Sequence, residues 1–298
     1  MRIVTRPDFD GVVCAVVLEE ALSPSDPTLW VEPGDMQHGR VEIRPGDVVA
    51  NLPFDPRCTL WYDHHATNRV DGPFDGAFEV VPSAAGLVWR SHKGRIEKDF
   101  SELIHQTDRI DSADLTMDEV LTPEQYPYVL LSMTIFGRNR GDEAYWDRMV
   151  RLLREKPISE VMADPEVKRR CDKVVAQNRE YREHLISCTE VKNGVSVTDF
   201  RGYEEAPEGN RFLVYAMFQD AVVSVKIRYA DKARKRVVLS VGHSIFNRNC
   251  HVHAGHLLSS YQGGGHFGAA ACTFDVSLAD RYIPRIIGTL QENKPHED

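Results

Sequence analysis

The stretch Arg2-Ile3-Val4-Thr5-Arg6-Pro7-Asp8-Phe9-Asp10-Gly11 decides how the first half of the chain is read. Residues 2–6 form a short β-branched run that suits a strand. Over residues 11–22, Val12, Ala15, Val16 and Leu22 recur at helical spacing. Asp8 and Asp10 therefore fall in the turn at the carboxyl end of a strand. Gly11 lets the chain turn sharply there and lets the helix start approach closely. Two oxygen ligands so placed suit a hard cation. Taken alone, the same residues also read as a solvated Asp-x-Asp-Gly turn.

The alternation continues beyond this unit. Residues 47–52 (DVVANL), 59–62 (TLWY) and 78–81 are predicted strands, and residues 84–92 and 100–109 predicted helices. Strands alternating with helices argue for an α/β layer around a mostly parallel sheet, whose ligands gather at the carboxyl ends of the strands. Residues 126–155 turn mostly helical, with the Met and aromatic side chains of residues 126–136 assigned to the core. Asp164-Pro165 then opens a long helix, with Asp as cap and Pro at the first helical position. Val167, Cys171, Val174, Asn178, Tyr181 and Leu185 share one of its faces. The expected organisation is an N-terminal α/β domain over 1–160, a helical linker over 161–190 and a smaller α/β domain over 191–298. In that last part, residues 195–200, 222–229, 237–241 and 271–276 are predicted strands, and 251–261 and 278–291 helices.

Composition narrows the classes. The chain has 298 residues, 42% hydrophobic and 27% charged, with 20 Gly and 16 Pro, which excludes collagen, a coiled coil and wholesale disorder. No uncharged apolar run reaches the ~18 residues of a membrane span. The opening residues carry charge too early for a secretion signal. The six cysteines are scattered and form no C-x-x-C pair, which reads as reduced thiols and a cytoplasmic setting. A formal net charge of -9 argues against a wide basic surface for long duplex DNA. It leaves small anions open, because a local site can reverse a global charge.

Three further stretches carry chemistry. Asp63-His64-His65 ends the strand Leu60-Trp61-Tyr62. A neutral imidazole ligates Mn or Fe well, and a neighbouring carboxylate can orient its other nitrogen; an exposed turn is the plainer alternative. Asp108, Asp111 and Asp114 repeat every three residues, a pattern that a capped, solvated helix end also produces. Gly263-Gly264-Gly265-His266 bares consecutive backbone amides, predicting an anion-binding loop near a helix start, with a flexible loop as the alternative. From His243 to Phe274 there is no Asp, Glu or Lys and a single Arg248, so an anion can approach. Residues 263–268 match G-x-G-x-x-G, but no clear strand leads into them and they lie near the C-terminus, against a dinucleotide fold. His251, His253 and His256 lack the four-ligand pattern of structural zinc.

Asp8-x-Asp10-Gly11, Asp63-His64-His65, Asp108 and Gly263-Gly264-Gly265-His266, in this order, resemble the DHH/DHHA1 phosphoesterase superfamily, in particular its small two-domain, exopolyphosphatase-related and oligoribonuclease-like branch. The resemblance spans most of the chain. It implies a metal-binding DHH-like domain joined by a long helix to a DHHA1-like substrate domain, with the active site in the cleft. It implies Mn²⁺ or Mg²⁺ and a metal-activated water that attacks phosphorus. Asp8, Asp10, His64 and Asp108 would be ligands, Asp63 would orient the cluster and His65 would face the substrate. Arg248, Gly264, Gly265 and His266 would hold a phosphate or terminal nucleotide.

Two departures from the family pattern stand out. Its first motif begins with His, where this chain has Arg6, and its second motif supplies a bridging Asp, where this chain has Asn51. A guanidinium has no lone pair to offer a cation, and a neutral Asn bridges two ions poorly. One ion rather than two is expected, with Arg6 supplying charge in place of the other. The expected activity is metal-dependent hydrolysis of a small phosphoanion: a short single-stranded oligonucleotide, a nucleotide or polyphosphate. The alternative is a silent or weakly active nucleotide sensor using the same residues. Neither long duplex DNA nor a membrane is an expected partner. The role of Asp111 and assembly as a homodimer are left open.

Overall fold

The computed structural model describes residues 1–137 and 141–295. Its elements run β1 (Arg2–Thr5), α1 (Phe9–Leu22), β2 (Leu29–Trp30), α2 (Pro33–Gln37), β3 (Asp47–Ala50), β4 (Leu60–Asp63), β5 (Gly76–Phe78), α3 (Ala84–His92), α4 (Ser101–Asp111), α5 (Met117–Leu121), α6 (Pro127–Ser132), α7 (Glu143–Glu155), α8 (Ile158–Ala163) and α9 (Pro165–Cys188). They continue with β6 (Thr189–Lys192), β7 (Val195–Asp199), α10 (Leu213–Met217), β8 (Val223–Tyr229), β9 (Arg236–His243), α11 (Ala254–Ser259), β10 (Gly263–Gly265), β11 (Ala269–Asp275) and α12 (Ala279–Glu292). The chain divides into two compact units, residues 1–115 with 123–172, and residues 116–122 with 173–298.

The first unit is built on a five-stranded parallel sheet in the order β2-β1-β3-β4-β5. Ile3, Val4, Val48, Val49, Ala50 and Trp61 are buried in it, the unbroken apolar pattern of a sheet covered on both faces. Helix α1 is buried from Phe9 to Leu18, so it is apolar nearly all round. Trp61 is fully buried; it stacks on Phe78 at 5.4 Å between centroids and donates its Nε1–H to Leu52 O at 2.9 Å. The strand expected over 78–81 lies earlier, at Gly76–Phe78. Past it, the Val81 carbonyl receives the His64 ring instead of continuing a ladder.

In the second unit six strands follow the order β10-β11-β9-β8-β7-β6, with β7 and β8 parallel and the other pairs antiparallel. Val223, Val225 and Ile227 alternate inward on β8 and meet Val237, Leu239 and Val241 of β9 in one core with Ile283, Ile286 and Leu290 of α12. The chain is thus α/β throughout, with a parallel sheet, a long helix and a second, mixed sheet. The triple glycine is a strand and not the loop expected from sequence. It pairs along the sheet edge in the register Gly263↔Cys272, Gly264↔Ala271, Gly265↔Ala270. The absence of side chains permits this, because a Cβ on Gly265 would lie 2.4 Å from Ala269 O. All six cysteines are free thiols.

Trp61 holds β4 in place from the apolar side of the sheet. Trp61→Ala is expected to cost about 3–5 kcal/mol. Urea unfolding measures this, and a loss below about 1 kcal/mol would show that the aromatic cluster repacks without it.

Candidate active site

The strand order brings the chemistry together. β1, β3 and β4 are adjacent, and their carboxyl ends lead directly into Asp8, Asn51 and His64. The order 2-1-3-4-5 places the topological switch between β1 and β3, where open α/β sheets bind ligands. Asp8 caps α1, accepting from the Gly11 amide at 2.9 Å. Gly11 is required there, since a Cβ would meet the Arg6 carbonyl oxygen at 1.9 Å.

Asp10 is only 2% exposed. Its carboxylate accepts from the amides of Ala84 (3.0 Å) and Ala85 (2.8 Å) at the start of α3. His64 donates Nδ1–H to the Val81 carbonyl at 2.9 Å, which turns the lone pair of Nε2 inward. That Nε2 is buried and has no hydrogen-bond partner. It lies 3.7 Å from Asp10 Oδ2 and 3.4 Å from Asp111 Oδ2. Asp10, His64 and Asp111 form one cluster with ligand atoms within 4.8 Å of one another, and Asp63, His64 and His65 form another.

Burial, and then the charge of Asp8, push the Asp10 carboxyl up to about 7; the Ala84 and Ala85 amides oppose this. Burial, and then the charges of Asp10 and Asp8, push Asp111 up to about 7. An acidic pocket that strains to stay ionised around an orphaned imidazole lone pair fits a divalent cation. Asp63 is fully buried and accepts from His65 Nδ1 (2.8 Å) and Asn68 Nδ2 (2.7 Å). The hydrogen bond to Asp63 raises the His65 pKa.

Asp108 is not in either cluster; it accepts from Ser83 Oγ at 2.5 Å, and the place beside His64 goes to Asp111, one turn along α4. Gly86 makes room for Asp108, since a Cβ there would lie 2.6 Å from Asp108 Oδ1. Arg6 Nε pairs with Asp8 Oδ2 at 3.1 Å, and Asn51 Nδ2 donates to Asp8 Oδ1 at 3.0 Å. In the second unit, Gly264, Gly265, His266 and Arg248 are exposed. The start of α11 does lie against the glycine strand, but its Ala254 and Gly255 amides donate to the Phe267 and His266 carbonyls. Those two donors are already used within the chain. Sequence reasoning missed Ser83, Asn68 and the amides of Ala84 and Ala85. The small-residue run Ser83-Ala84-Ala85-Gly86, opening a helix, was the available signal for three of them.

No sequence family and no curated protein matches the chain. Solved structures do. The pGpG-specific phosphodiesterase PggH from Vibrio cholerae superposes with a TM-score of 0.85 at 29% identity, over 98% of this chain and 99% of that one. RecJ from Thermus thermophilus in complex with Mn²⁺ matches with a TM-score of 0.59 at 14% identity, over 99% of this chain but 52% of RecJ. A RecJ exonuclease bound to manganese gives 0.56 at 13%, over 99% and 90% of the two chains. The RecJ likenesses speak for the fold. Fold and neighbours together define a phosphoesterase of the DHH type, a hydrolase. The neighbours support the likeness to the DHH/DHHA1 phosphoesterase superfamily.

The raised carboxyls set a pH signature for protein stripped of metal by chelator. A folded pKa of about 7 for Asp10 lies above the ~3.9 of an unfolded Asp, so the native state holds the extra proton. Stability should therefore fall as pH rises from about 4 to about 7, and level off beyond. Asp10→Asn should flatten that fall and leave the metal-free variant the more stable of the two at about pH 8. Denaturant unfolding in chelator at about pH 5 and about pH 8 measures it. Equal pH slopes in the two proteins would acquit the buried carboxylate.

Proposed function

We propose that the chain is a divalent-metal-dependent phosphodiesterase acting on a nucleotide or a short oligonucleotide, with a purine dinucleotide as the foremost candidate. The observation that carries this is the orphaned Nε2 of His64, buried between Asp10 and Asp111 at the carboxyl end of the sheet. Asp10, His64 and Asp111 would hold one cation. That cation would lower the pKa of a bound water and neutralise phosphate charge. Asp63, braced by Asn68, fixes the tautomer and direction of His65, leaving its Nε2 to meet the substrate as a phosphate donor or acid. His266, with Gly264, Gly265 and Arg248, would hold a substrate phosphate. The 29% identity to a pGpG-specific phosphodiesterase over nearly the whole chain supports the dinucleotide over polyphosphate.

One ion rather than two is the reading favoured at Asp8. Both of its oxygens are engaged, by Arg6 on one side and by Asn51 and Gly11 on the other. Asn51 is buried in the left-handed region at φ 56°, which Asn tolerates better than most residues, and its amide is aimed at Asp8. Arg6 thus supplies a fixed positive charge where the family pattern has a ligand. A guanidinium steadies developing charge but generates no hydroxide.

The test is metal stoichiometry by mass spectrometry together with dinucleotide hydrolysis in Mn²⁺. About one ion per chain is expected, with turnover lowered at least ~100-fold by Asp10→Ala or His64→Ala. Arg6→His combined with Asn51→Asp should raise the stoichiometry towards two. Two ions in the parent protein would overturn the single-ion reading. Nucleotide binding with no product release under any metal would favour a sensor using the same side chains.

A further inference from the structure

We propose that Phe267, braced by His243 and His253, is a stacking platform for the nucleobase of the substrate, set beside the phosphate-holding strand of the second unit. This rests on the reading above that the substrate is a nucleotide, and it deepens that reading by saying how a nucleotide is told from a bare phosphoanion.

Phe267 is 52% exposed, an unusual state for a phenyl ring so firmly framed. The His243 ring meets it at 5.1 Å and 77°, and the His253 ring at 5.4 Å and 84°. Both contacts are perpendicular, so neither imidazole stacks on the phenyl. His253 in turn lies parallel on His256, at 3.7 Å and 4°. The backbone around the ring is pinned. The Phe267 carbonyl accepts from the Ala254 amide at 2.9 Å, and the Gly268 carbonyl from the His243 amide at 2.8 Å. His243 Nε2 donates to the Val252 carbonyl at 3.0 Å. The ring is therefore held in place before any ligand arrives, and little stacking energy is lost to ordering it.

Its setting identifies the ligand. The ring follows directly on Gly264-Gly265-His266, so the proposed phosphate site and a half-exposed aromatic ring are neighbours on one stretch of chain. From His243 to Phe274 no Asp, Glu or Lys occurs and Arg248 is the one fixed charge, in a chain of net charge -9. An anion carrying a flat aromatic group matches both features. Inorganic polyphosphate matches one of them, having no face to stack. Base–aromatic stacking tolerates any base, so the platform selects for a nucleotide more than for one base.

The test uses the full chain supplied with Mn²⁺. Guanosine 5′-monophosphate and inorganic phosphate are titrated separately into the parent, Phe267→Ala, Phe267→Trp and His266→Ala proteins. Phe267→Ala should weaken the nucleotide on the order of 10- to 100-fold and leave phosphate unchanged. Phe267→Trp should retain the nucleotide, and His266→Ala should weaken both ligands. Unchanged nucleotide affinity in Phe267→Ala overturns the platform, as does an equal loss in the Trp and Ala variants. If phosphate binds the parent protein and the base adds nothing, the platform fails and the hydrolase reading stands. If neither ligand binds, both fall. A change of oligomeric state in Phe267→Ala by light scattering, with nucleotide affinity intact, would assign the ring to contact between copies and overturn the proposal.

Discussion

A buried carboxylate and a buried imidazole lone pair share a small, poorly solvated space in the first unit, with the part-exposed Asp111 at its rim, and much else in that unit serves to keep them there. Asp10 is held by two amides at the start of α3, and His64 by a backbone carbonyl. These are rigid partners, so Asp10 and His64 cannot turn away as charge accumulates beside them. The raised pKa values of Asp10 and Asp111 express that confinement. A divalent cation held between them would relieve it.

The sheet supplies the convergence. Adjacent parallel strands end on the same side, so residues more than 50 positions apart in sequence meet without any long loop being ordered. Apolar packing beneath, centred on Trp61, fixes the height at which Asp63, His64 and His65 emerge. Asp8 and Asp10 sit two residues apart but in different worlds. Asp8 is partly exposed and neutralised by Arg6, while Asp10 is sealed and lacks a cationic side chain among its bonded partners. One short motif thereby yields one carboxylate paired with a guanidinium and one buried against backbone amides.

Much of this was legible in the residues. The first strand and helix, the helix over 84–92, the long helix after Asp164 and strands β7, β8, β9 and β11 of the second sheet follow from apolar period and caps, because those patterns report local geometry. The triple glycine misled, because residues without side chains carry no period, and whether they form a loop or an edge strand depends on what packs against them. Asn68 and Ser83 were silent for another reason. A polar side chain in a turn looks solvated until its acceptor, Asp63 or Asp108, is placed beside it.

By itself the amino-acid sequence determined the inventory: which acids, histidines and glycines exist, their order, and the strand and helix ends on which they ride. Only the tertiary structure shows that Asp111 lies beside His64 and Asp108 beside Ser83. Three residues apart on α4, they share a helix face and are equivalent in any sequence pattern. Where α4 rests, Ser83 at the start of α3 meets the first and His64 at the end of β4 meets the second. That choice is a matter of one helical turn along an axis, and spacing in a chain does not record where a helix comes to rest.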